Sequence, residues 1–328
     1  MRLSDNATVY TARHLLKVAF PNHTPSLFVE NQTITANVDG VVLSFFRMRE
    51  DDADRLLTGG LPLKTVETPL GISVPLYLDS KHDELYTVEE GNVQIHCDLL
   101  TLSFVLLSRW EEQQPAARHD EHGRFLYAGS LQQRYDIADI PIIDAYALLL
   151  RHWVCAAFPA MHVTPRAAQC VSTHDVDILA RFGSRYKSWR TLAADLLKYR
   201  SVRLFRQSKA QYSAARRNPL ADPYVEACHL LTEHDQRQGW QSLFFVKAQV
   251  PGEYDCTYDI TSSDTRNFVQ QLARCGATIA LHGSYRSAED ADRFIQEKAR
   301  LENTVGQPIT ANRQHYLRFL APQTAEFW

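Results

Sequence analysis

No two cysteines in this chain stand in Cys–x–x–Cys spacing, no apolar run approaches the length of a membrane span, and no repeat or low-complexity tract interrupts it. The six cysteines, Cys97, Cys155, Cys170, Cys228, Cys256 and Cys275, are scattered. That spacing excludes a zinc ribbon or a disulfide-stapled scaffold, and reduced thiols in a cytoplasm are the simplest reading. The opening segment "MRLSDNATVYTARHLLKVAF" has no stretch suited to a signal peptide or a transmembrane helix. A cytoplasmic protein with no transmembrane segment is therefore expected. Basic excess is also missing: the net charge is −3, which gives no support to a nucleic-acid partner.

What is present is an ordinary globular composition. The 328 residues are 45% hydrophobic and 22% charged, enough for two domains or one large one. Before residue 160 the pattern is mixed. "ITANVDGVVLSFF" and "NVQIHC" read as strands, with turn signals at "DG" and "EEGN". "DLLTLSFVLLSRWEE", 98–112, reads as a buried helix, and "PIIDAYALLLRHWVCAAF" as a second helix opened by proline. "PAMHVTPR", 159–166, carries two prolines and marks a boundary, so domains over 1–160 and 166–328 are expected.

Beyond the boundary, strand and helix alternate. Strands are expected at 168–173, 242–248, 277–281 and 308–312. The clearest helix spans 288–305, capped by Ser287, supported by a Glu289–Arg293 pair and ended by Gly306. Repeated βα units imply a parallel sheet or barrel. The first crossover holds a basic run from Arg181 to Arg217, eleven Lys/Arg against one acid, Asp195. Such a run suits an anionic glycan, phosphate or membrane, but charge runs are more often solvated helical faces, and the second reading is preferred.

The chemistry gathers around "VSTHDVDILA", 171–180. Side chains two apart on a strand share a face, so Asp175 and Asp177 project together while His174 and Val176 point away. Two adjacent carboxylates need a cation between or beside them. His282, Arg313 and His315 follow at the ends of later strands, in βα order. Each alone is more often a turn, cap or packed residue; their common placement favours one shared site.

These segments resemble the polysaccharide deacetylase family, carbohydrate esterase family four, whose members are metal-dependent N-deacetylases on a deformed (β/α) barrel. "THDVD" is similar to its first motif, "LHGSYR" to its His–Ser/Thr–x–x–His motif and "RQHY" to its Arg–x–Pro–Tyr/Phe motif. The resemblance implies Asp175 as general base, Asp177 and His282 as metal ligands, and Arg313 orienting the base. Tyr316 would offer a backbone N–H to the oxyanion. His315 or His174 would complete the three protein ligands that a catalytic zinc normally has. Two positions depart from the family: its second metal histidine is Arg286 here, and its motif-three proline is His315. Arg286 is expected to supply the positive charge that the acid pair needs. "LLSRWEE", "DEHGRF" and "IPIIDAYALLL" are similar to an uncharacterised domain that precedes such deacetylases in bacterial glycan gene clusters.

The expected fold is thus α/β: a mixed N-terminal domain, then a partial, truncated barrel, with the family's later motifs lying beyond Trp328. The implied activity is removal of N-acetyl groups from a sugar or glycan, with zinc or a similar divalent metal as cofactor. Two other readings remain open. One is a catalytically degraded deacetylase that binds glycan or acts as a scaffold. The other is an Asp–x–Asp phosphatase or glycosyltransferase, which leaves "RQHY" unexplained.

Overall fold

The computed structural model describes residues 3–30, 33–164, 166–249, 254–255 and 258–328, and Cys256 lies outside them. The chain is mixed α/β and divides into two compact units, Met1–Glu121 with Phe125–Ala167, and His122–Arg124 with Ala168–Trp328. Each has its own apolar core. Among the described residues no helix is long and apolar enough to cross a membrane.

The first unit opens with α1 (Asp5–Ala19), β1 (Ser26–Glu30), β2 (Thr33–Val38), β3 (Val41–Phe45) and α2 (Glu50–Thr58). It continues through β4 (Lys64–Glu67), β5 (Ser73–Leu76), β6 (Tyr86–Glu89), β7 (Asn92–Ile95), α3 (Thr101–Ser108), α4 (Leu131–Arg134) and α5 (Ile142–Ala157). Five strands form a sheet in the order β1-β2-β3-β7-β6, and β4–β5 is a separate hairpin. The "DG" turn joins β2 to β3. Asp39 and Gly40 both have positive φ, 49° and 90°, the pair of left-handed residues that a tight hairpin requires. The helix expected over 98–112 is shorter. Asp98 is buried and accepts the N–H groups of Thr101 and Leu102, which starts α3 three residues late. Arg109, at φ 51°, then ends it before a single 3₁₀ turn over Trp110–Gln113.

The second unit contains β8 (Val171–Val176), α6 (Arg185–Leu197), α7 (Val202–Arg217), α8 (Pro223–Arg237) and β9 (Gln241–Val246). After these come α9 (Ser263–Arg274), β10 (Thr278–Gly283), α10 (Ala291–Val305), β11 (Asn312–Gln314) and α11 (Gln323–Glu326). The four strands form a curled, all-parallel sheet in the order β11-β10-β9-β8. Central strands β9 and β10 are buried on both faces, which explains the unbroken apolar runs "FFV" and "TIAL". Phe244, Val246, Ile279 and Leu281 pack with Phe268, Leu272 and Leu301 from the helices.

Several expected boundaries move. The first strand begins at Val171 rather than 168 and has β9 as its neighbour in the sheet, so it is half exposed rather than buried. Asp175, His282 and Arg313 lie within their strands, not after them. The last strand is Asn312–Gln314 rather than 308–312. Ile309, the apolar signal, is a core residue whose N–H binds Glu302, and the ladder with β10 starts only at Leu281↔Asn312. The long helix begins at Ala291, because the Asp290 carboxylate caps it through the Arg293 N–H; Ser287 is instead buried and donates to the Ser284 carbonyl. Glu289 therefore lies outside the helix and pairs with Arg318, not Arg293.

Asp222 anchors the long crossover. Its buried carboxylate caps α8 through the Tyr224 N–H and also accepts the N–H groups of Arg181 and Phe182, at 2.9–3.0 Å. Asp222→Ala removes a cap and strands two further donors, so it should lower stability by about 2–3 kcal/mol, read from urea unfolding. A loss under ~0.5 kcal/mol would mean that water satisfies these groups instead.

Candidate metal centre

β8 carries Asp175, and Asp177 follows directly after its last residue. As alternation demands, Asp175 and Asp177 share one face of the sheet. His174 faces the other way, where its Nε2 lies 3.2 Å from Asp235 and 3.1 Å from Ser172, and its ring packs on Phe244. That removes His174 as a ligand for this site.

β10 brings up His282, 2% exposed. Its Nδ1–H donates to the Arg313 carbonyl at 2.8 Å, across the β10–β11 ladder. A carbonyl can only accept, so this bond fixes the tautomer, and Nε2 of the neutral ring carries a lone pair. That nitrogen faces Asp177 Oδ1 at 3.5 Å and Asp175 Oδ2 at 4.0 Å. A lone pair opposed to two carboxylates is repulsive. Either a second proton on the ring or a cation between the groups removes the conflict.

β11 carries Arg313, and His315 and Tyr316 follow it. Arg313 Nη1 donates to Asp175 Oδ1 at 2.7 Å and Nη2 to Thr173 Oγ1 at 3.0 Å, while the guanidinium lies 4.3 Å over the Phe245 ring. The side chain is thus fixed on three sides. Asp175 Oδ2, which Arg313 does not bind, is the oxygen that faces His282. His315 donates Nδ1–H to Asp255 at 3.0 Å, and its Nε2 lies 3.5 Å from Asp177 Oδ1. Tyr316 and Leu317 both have left-handed backbone, φ 59° and 54°, an uncommon conformation for non-glycine residues and worth about 1–3 kcal/mol of strain each.

Asp177, His282 and His315 offer three ligand atoms within 4.8 Å of one another, a possible metal-binding triad. The two carboxylate-to-imidazole spacings, both 3.5 Å, match the edge of a tetrahedron with arms of about 2.0–2.1 Å. The carboxylate–imidazole arrangement of Asp255 and His315 also orients a ligand as metal sites usually do. The donor set is of the kind a zinc-like dication takes, although the Lys247 ammonium lies against two of its three ligand atoms. Asp177 is held well below the usual carboxylate range, first by the Nε2–H that a doubly protonated His282 directs at it and then, against the cost of burial, by Lys247. Burial alone would raise Asp255, but its bonds to His315 and the Tyr285 N–H outweigh burial and lower it.

Two participants were not legible in the sequence. Lys247, just past β9 and 1% exposed, places Nζ 2.9 Å from Asp177 Oδ1, and 2.8 Å and 3.0 Å from the two ring nitrogens of His315. Asp255 comes from the β9–α9 connection. Arg286, by contrast, is exposed and makes no ion pair with Asp175 or Asp177. The expected charge compensation by Arg286 is therefore replaced by Lys247 at Asp177 and Arg313 at Asp175. A lone lysine closing the apolar strand "SLFFV" was the available signal for Lys247; Asp255 had none.

Aromatic residues flank the triad. Tyr254 and Tyr285 stack at 4.5 Å, Tyr316 stands edge-on to Tyr285 at 5.3 Å, and His315 meets Tyr316 at 4.7 Å. His122, from the 122–124 segment that belongs to this unit, lies 4.7 Å from Tyr316.

Residues 7–159 match the model of a family of unknown function, DUF7033; the match ends before the segment that carries the acid pair and both histidines. No characterised protein and no solved structure matches the chain.

Proposed function

We propose that the second unit is a hydrolase of the polysaccharide-deacetylase type, which removes N-acetyl groups from a sugar or glycan. The observation that supports this most is the convergence of His282 Nε2 and His315 Nε2 on Asp177 Oδ1, each at 3.5 Å, which puts three ligand atoms within 4.8 Å of one another. Asp177, His282 and His315 would hold the cation. Such a cation supplies Lewis-acid polarisation of an acyl carbonyl and of the attacking water.

The remaining steps belong to the protein. Asp175 is the general base: Arg313 binds Oδ1 and keeps the carboxylate ionised and oriented, leaving Oδ2 to take the proton of a water above the triad. The Tyr316 N–H, carried on the strained left-handed segment, would stabilise the oxyanion. The exposed faces of Tyr254 and Tyr316 give a sugar ring an apolar platform next to the reacting group.

The test pairs two measurements on the whole chain. Calorimetric titration should find one zinc or cobalt ion per chain, with binding abolished by His282→Ala. Incubation with N-acetylglucosamine oligomers and metal should release acetate. Acetate release that persists in His282→Ala, or metal binding indifferent to that change, would sink the reading.

A further inference from the structure

The α6–α7 hairpin presents a surface that is both apolar and basic. The two helices pack together, and the turn between them gives the nine-residue stretch "LLKYRSVRL", 196–204. Nothing apolar in this stretch is buried. Leu197 is 79% exposed, Tyr199 58%, Val202 57%, and Leu196 and Leu204 40% each. Along α6, Tyr186 and Trp189, both 71% exposed, precede Leu196 and Leu197 at helical spacing, so one stripe runs from the body of the helix to the turn.

Cations flank this stripe. Arg190, Lys198, Arg200, Arg203, Arg206 and Lys209 are all exposed, and none is ion-paired among the described residues. The one acid between 181 and 217, Asp195, is buried. Local sequence explains the hairpin itself: Ser184 and Ser201 cap the two helices through the Lys187 and Leu204 N–H groups. It does not explain why five aliphatic and aromatic side chains are left in water at the turn.

We propose that the α6–α7 turn is a docking surface for an anionic phospholipid bilayer. Leu197, Tyr199 and Val202 enter the interface, Trp189 and Tyr186 lie at the headgroup level, and the surrounding arginines and lysines meet lipid phosphates. Exposed aliphatic residues beside unpaired cations are what such a surface requires: burial of the apolar tip and attraction to anionic headgroups act together, and neither suffices alone. A free polyanion would satisfy the cations but leave Leu197 and Val202 in water. The α6–α7 surface would lie on the membrane at the headgroup level. This inference stands whether or not the triad hydrolyses amides.

The experiment is flotation of the full chain with vesicles of phosphatidylcholine, alone or with about one-third phosphatidylglycerol, at ~0.1 M salt. Binding is expected to the anionic vesicles and at least tenfold weaker to the neutral ones. Leu197→Ser with Val202→Ser, and separately Arg200→Glu with Arg203→Glu, should each weaken binding at least tenfold. The thermal melt should be unchanged, since all four side chains are exposed. Vesicle-induced blue-shifted emission should disappear in Trp189→Phe. Absence of flotation with anionic vesicles overturns the proposal. So does binding to heparin, with vesicle binding untouched by the Leu197/Val202 pair, because that pattern marks a general polyanion surface.

Discussion

Asp175→Asn should lower acetate release from an N-acetylated glycan by about 10²–10⁴-fold, the usual contribution of a general base, while zinc binding stays as in the parent chain. Asparagine keeps the shape of the side chain and can still accept from Arg313, so the constellation survives. What is lost is the basic oxygen, Oδ2, which faces His282 and is left unbound by Arg313. Stability should change little, because a partly exposed ion pair is worth about 0–1 kcal/mol. Asp175 lies beside the triad rather than in it, so metal affinity is the control that separates a lost base from a disrupted site. Turnover within a few-fold of the parent would remove Asp175 from the chemistry and leave the Asp177 side of the site to be explained differently.

The second large effect is expected at Lys247. Its Nζ lies 2.9 Å from Asp177 Oδ1, an oxygen of the triad, and against the His315 ring. Any dication held by Asp177 and His315 meets this ammonium at close range. Two unit charges 4 Å apart repel by about 4 kcal/mol at an effective dielectric of 20. Lys247→Met keeps most of the apolar stem and deletes the charge, so zinc affinity should rise at least tenfold by calorimetry, and Asp177→Asn should abolish the gain. Two outcomes are informative in different ways. If the parent chain binds no zinc and Lys247→Met does, the lysine is the resident cation of a site that no longer takes metal, which is the degraded-enzyme reading. Equal affinities would mean that Lys247 swings clear when the ion enters.

Much of this site was legible before the fold. The alternation in "THDVD" placed Asp175 and Asp177 on one face and His174 on the other, because strand periodicity is a local property. His282, Arg313 and His315 were found through their position near the ends of apolar segments. The boundaries were not found as well. Apolar content alone cannot distinguish a strand residue from a core residue in a loop, which is how Ile309 drew the last strand too early. Lys247 and Asp255 were hidden for another reason. Their roles arise only when β8, the β9–α9 connection and the segment after β11 converge, and no window of sequence contains that meeting. Arg286 shows the converse. A motif position suggested a charge in the site, yet the short turn at 286–288 leaves the side chain in solvent.

Arg313 joins the two halves of the site through different parts of itself. Its guanidinium holds Asp175, whereas its carbonyl holds the His282 ring. The first bond depends on which amino acid occupies the position; the second is available to any residue with the same backbone path. Replacing this arginine would therefore release the Asp175 carboxylate while leaving the imidazole in place. If the site works as proposed, a substitution at this one position would separate the orientation of the base from the orientation of the ion's imidazole ligand.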